Sequence, residues 1–217
     1  MQQFTDFALA LTPPPNPVRH LDNSLTPQQQ AGRDIYFDVG NITGIGSCNH
    51  CHELDPAQKK FGSGGKMSFE GGRIAEDFKV PQLRNSYTKV GMFGGSSPNR
   101  DVTRVPMRDQ VRGFGYLHDG AIESFFNDPV LNSPAPRIPN RDNVIRFVMA
   151  FDSNMAPIVG QQVTLRGDSP WTFDRLTLLE ERAEVTSPRA ECLLMGAGVV
   201  DGERKVLRMR GPNSYAD

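Results

Sequence analysis

Apolar residues recur with helical spacing at a few places in this chain, separated by long stretches that follow no period. Phe4, Phe7, Ala8 and Leu11 predict a helix over residues 2–11. The run Pro13-Pro14-Pro15-Asn16-Pro17 ends it, because proline lacks the backbone donor that a helix interior needs. A second helix opens at Thr26-Pro27-Gln28-Gln29, with Thr26 as N-cap, Pro27 at the first helical position and Gln29 completing a capping box. It should run to about Phe37. Gly32 and Tyr36 then share a face on which another helix can approach closely. Val144, Phe147, Val148 and Phe151 form the apolar face of a helix over 141–151. Near the end, Phe173, Leu176 and Leu179 line one side of a helix over 172–185. Asp201-Gly202, between Val199-Val200 and Val206, predicts a β-hairpin.

One phrase occurs twice. Phe7-Ala8-Leu9-Ala10-Leu11-Thr12, followed by prolines, lines up with Phe147-Val148-Met149-Ala150-Phe151-Asp152, followed by Pro157. Both can be ordinary amphipathic helix ends. Alternatively, residues 1–23 hold the closing helix of a preceding, related domain, or an N-terminal extension. The expected organisation is then 1–23, a main domain over 24–160, and a C-terminal extension of unassigned role over 161–217.

Composition narrows the picture. The chain has 217 residues, of which 21 are Gly and 17 Pro, so long loops are expected. A net charge of −1 gives no basic stripe for nucleic acid. No apolar run is long enough to span a membrane.

The chemistry is concentrated at Cys48-Asn49-His50-Cys51-His52, a C-x-x-C-H sequence. That spacing suits covalent attachment of haem c, in which two thiols bond the vinyl groups on one porphyrin edge and the next His ligates iron. Three other readings compete. A zinc site needs further ligands, yet His20, His118 and Cys192 are isolated. A redox dithiol needs a βαβ setting, and a plain disulfide leaves His52 unexplained. Cys192 reads as a small buried hydrophobe. Bacteria attach haem c outside the cytoplasm, so a periplasmic or extracellular location is expected. Residues 1–11 carry neither a basic n-region nor a cleavage site, which leaves a mature product, a cut piece or a misplaced start.

The phrases GRDIYF (32–37), CNHCH (48–52), FKVPQLRN (78–85) and YLHDGAIESFF (116–126), followed by an amphipathic helix, occur in this order. Over roughly residues 24–155 the chain resembles the haem-bearing C-terminal domain of the bacterial di-haem cytochrome c peroxidase superfamily. The resemblance implies a mainly α, class I cytochrome c-like fold with long Gly/Pro-rich loops, its first helix crossing the last over one haem c. Peroxidases of that family carry two C-x-x-C-H motifs; this chain has one. Their electron-transfer haem takes a Met beyond the HDG helix, where residues 128–134 here have none, and residues 95–112 form an insertion. Electron transfer is therefore the first expectation, within a larger or multi-haem assembly whose partners are redox proteins or other haem domains. The alternative is part of a peroxidase-like oxidoreductase whose second haem lies outside this chain.

Met92, in Val90-Gly91-Met92-Phe93-Gly94, is the leading sixth iron ligand, although a core-filling Met is the commoner use of the residue. Met107, Met67 and His118 are weaker candidates, and an open iron would suit peroxide or oxygen chemistry. Arg84 and, less strongly, Arg73 are expected to neutralise haem propionates.

Overall fold

The computed structural model describes residues 2–38, 46–69, 77–90, 113, 115–117, 140–165, 170–184 and 190–216. They contain five helices: α1 (Gln2–Ala10), α2 (Pro27–Phe37), α3 (Cys48–Cys51), α4 (Arg141–Met149) and α5 (Pro170–Ala183). Seven short strands accompany them: β1 (Leu54–Asp55), β2 (Lys60–Phe61), β3 (Met67–Phe69), β4 (Asp77–Lys79), β5 (Met195–Val200), β6 (Glu203–Gly211) and β7 (Ser214–Ala216). The chain divides into two compact units, Met1–Arg19 with Leu25–Asn154, and His20–Ser24 with Met155–Asp217.

The expected mainly α, class I cytochrome c-like fold is not what forms. The described residues are about 36% helix and 20% strand, with three small antiparallel sheets and no class I cytochrome fold. The reason lies just after the motif. Gly62, Gly64 and Gly65 interrupt any helical period there, and the backbone satisfies its polar groups in the hairpins β1–β2 and β3–β4 instead.

In the first unit, α2 begins at the predicted capping box, with Thr26 Oγ1 accepting from Gln29 N and the Gln29 side chain accepting from Thr26 N. Gly32 and Tyr36 are both buried on the face that meets α4. A Cβ added at Gly32 would stand 1.9 Å from the Asn143 carbonyl oxygen, so only glycine permits this crossing. Tyr36, Phe61, Leu83, Val144, Phe147, Val148 and Phe151 form the core, with Cys48 and Leu54 packed at its edge. The Tyr36 and Phe147 rings meet edge to face at 5.3 Å, a favoured aromatic geometry. The proline run is anchored here too: Asn16 Nδ2 donates to the carbonyls of Met149 (2.9 Å) and Phe151 (3.0 Å) at the end of α4.

The twice-occurring phrase lies in two different environments. Phe147, Val148 and Phe151 are core residues, whereas Phe4, Phe7 and Leu11 on or just beyond α1 are exposed.

The second unit holds α5 and the sheet β5-β6-β7. The Asp-Gly hairpin forms as read, with Val200 paired to Glu203 and both loop residues at positive φ (Asp201 54°, Gly202 83°). Among the described residues no helix is long and apolar enough to cross a membrane.

Candidate haem site

Cys48, Asn49, His50 and Cys51 form the single turn of α3, and His52 caps its end. A helical turn puts residues three apart on one side, so the two cysteines share a face. Both are free thiols and half-buried. Burial pushes the Cys48 thiol up to about 11, so it is protonated at neutral pH in the protein without haem.

Such a short turn has no helical partners for its last carbonyls. Side chains from outside supply them. The Tyr36 hydroxyl donates to the His52 carbonyl, and Lys66 Nζ donates to the His50 carbonyl. Asn49 Oδ1 accepts from Leu54 N at 2.8 Å, tying the turn to β1. Tyr36 is itself buried in the core, which raises its pKa well above the ordinary phenol value. It therefore stays a donor at any ordinary pH.

His52 is oriented by its ring. Nδ1 lies 3.0 Å from the Gly62 carbonyl and 3.2 Å from the Pro81 carbonyl. Carbonyls only accept, so Nδ1 carries a proton that it donates to them. Two loop segments converge to make this possible. Gly62 N donates to Glu53 O (2.7 Å), and Leu83 N donates to Phe61 O (3.0 Å). Gly62 has φ 90°, and a Cβ there would lie 2.7 Å from Leu83 N, so this position also requires glycine.

Arg84 follows on the same loop. Its guanidinium stacks 4.6 Å from the Phe61 ring centroid, and its nitrogens donate to Gln82 Oε1 (2.6 Å) and Asn154 Oδ1 (3.1 Å). Among the described residues no carboxylate pairs with it, and burial lowers its pKa. Met92 lies outside the described residues, as do Met107, His118 and Arg73. Met67 is described and stands exposed on β3.

The residues fit covalent haem attachment. The two thiols share one helical turn, and the His beside them is held through Nδ1 by two carbonyls. Among the described residues, no three His, Cys, Asp or Glu side chains gather as a metal cage. The described sheets are all antiparallel.

Sequence reading found Cys48, Cys51 and His52 but assigned no role to Tyr36 O–H, Lys66 or the Gly62 and Pro81 carbonyls. Backbone carbonyls leave no trace in residue identity. Compared with known proteins, the chain matches no family model, and no significant match exists among the curated proteins or the solved structures.

Proposed function

We propose that this chain holds one haem c through Cys48 and Cys51, with His52 as proximal ligand, and passes single electrons to redox partners outside the cytoplasm. The observation that supports the reading is the pair of carbonyls beside His52 Nδ1, which favours the tautomer that would ligate a metal through Nε2. Bound haem supplies the one-electron couple; the protein supplies its ligands, burial and polarity. Tyr36, Lys66 and Asn49 hold the attachment turn rigid. Hydrogen bonds from Nδ1–H to the two carbonyls would make the imidazole a stronger donor to iron and so would lower its potential. Arg84 provides a cation for a carboxylate of the group. Met92 is the proposed sixth ligand, and its thioether raises the potential.

A potentiometric and spectral titration of wild type and Met92→Ala, with a peroxide-consumption assay beside it, tests this reading. The expected result is a one-electron couple, a ferric Met-to-iron charge-transfer band that the variant loses, and no peroxide turnover. A high-spin wild type that consumes peroxide would overturn electron transfer in favour of a peroxidase-like role.

A further inference from the structure

The sheet of the C-terminal unit has two edges, and the chain treats them differently. β7, at one edge, has three residues and lies beside a register irregularity between Met209 and Gly211. Shortness and irregular register both discourage an edge from recruiting another strand. β5, at the other edge, is six residues long, Met195-Gly196-Ala197-Gly198-Val199-Val200, and pairs with β6 in unbroken register. It contains no charge, no proline and no bulge. Among the described residues no strand pairs with its outer side.

The register also sorts the two faces. Met195 with Arg208, Ala197 with Val206, and Val199 with Arg204 lie on one face. The opposite face carries Leu207 and leads on to buried Met209, whose partner Tyr215 donates to Glu180 of α5 (2.8 Å). The first face is therefore the one turned away from α5, where polar residues are the rule. Instead Met195, Val199 and Val206 are 52%, 66% and 62% exposed.

We propose that β5 pairs antiparallel with β5 of a second copy of this chain, about a two-fold axis at Ala197, extending the sheet from three strands to six. An antiparallel strand pair is self-complementary, as a two-fold contact demands. Because β5 is uncharged, pairing it with itself opposes no like charges. Arg204 and Arg208 sit one strand further in, on the side away from the axis. With Ala197 opposite its own copy, Met195 faces Val199 of the second copy on the first face, and Gly196 faces Gly198 on the other. Large residues thus meet large and small meet small, and the outer backbone groups of β5 gain partners. A pair of six-residue strands is a small contact beside the roughly 1,200 Å² of a stable interface, so a reversible dimer is expected. It does not depend on the haem reading.

Sedimentation equilibrium of the full chain from about 1 to about 100 μM tests the pairing, using wild type, Ala197→Lys and Val206→Lys. Wild type is expected to shift from monomer to dimer across that range. Ala197→Lys, an exposed change that sets two ammonium groups at the axis, is expected to weaken the dimer at least tenfold. Val206→Lys, on the same face but the inner strand, is expected to dimerise like wild type. A monomeric wild type overturns the proposal, as does an Ala197→Lys chain that dimerises as well as wild type. Equal loss in both variants also overturns it, since the contact would then use the face rather than the edge. The monomeric outcome for wild type overturns the proposal whether or not a variant folds.

Discussion

Gly32 shows how much a single missing side chain can control. With 1.9 Å between an added Cβ and the Asn143 carbonyl oxygen, Gly32→Ala must push α2 and α4 apart. A loss of about 1–3 kcal/mol in urea denaturation is expected, the usual cost of overpacking; an unchanged midpoint would mean the helices do not cross there. Tyr36→Phe keeps the ring in the core but removes the donor to the His52 carbonyl. It should cost about 0.5–1.5 kcal/mol by the same measurement. The role of Gly32 was legible because a glycine one turn before an aromatic residue is a local pattern. The partners of His52 were not, because Gly62 and Pro81 lie 10 and 29 residues away along the chain.

Elements were legible where their signals are local. The capping box placed α2, and Asp201-Gly202 placed the β5–β6 turn. β7 was missed because a three-residue strand carries no period. The small hairpins after the motif were missed because resemblance to a helical family suppressed them. The anchoring of the proline run by Asn16 was hidden by its distance from α4. At this scale Tyr215 gives a pH prediction. Partial burial first, then its bond to Glu180, raises its pKa from 10.0 to about 12. A raised phenol pKa means that folding favours the neutral form. The stabilisation is complete below pH 10.0 and is lost as pH climbs towards about 12. Alkaline titration followed by circular dichroism and phenolate absorbance should show the sheet signal weakening over that window. Tyr215→Phe should remove this component; if it leaves the profile unchanged, Tyr215 is not its source.

For the molecule as a whole, the main unit joins a helical pair, α2 and α4, to an attachment turn clamped by loops. That turn is the proposed covalent haem site, and the thioether bonds from Cys48 and Cys51 are its defining feature. The most direct measurement is an acid-acetone extraction, read by absorption spectrum, of protein made in cells that attach haem c. Wild type is compared with the double variant Cys48→Ser/Cys51→Ser. The prediction is a Soret band that stays with the wild-type polypeptide after extraction and does not stay with the variant. A wild type with no Soret band, or with haem that extracts freely, would contradict the account.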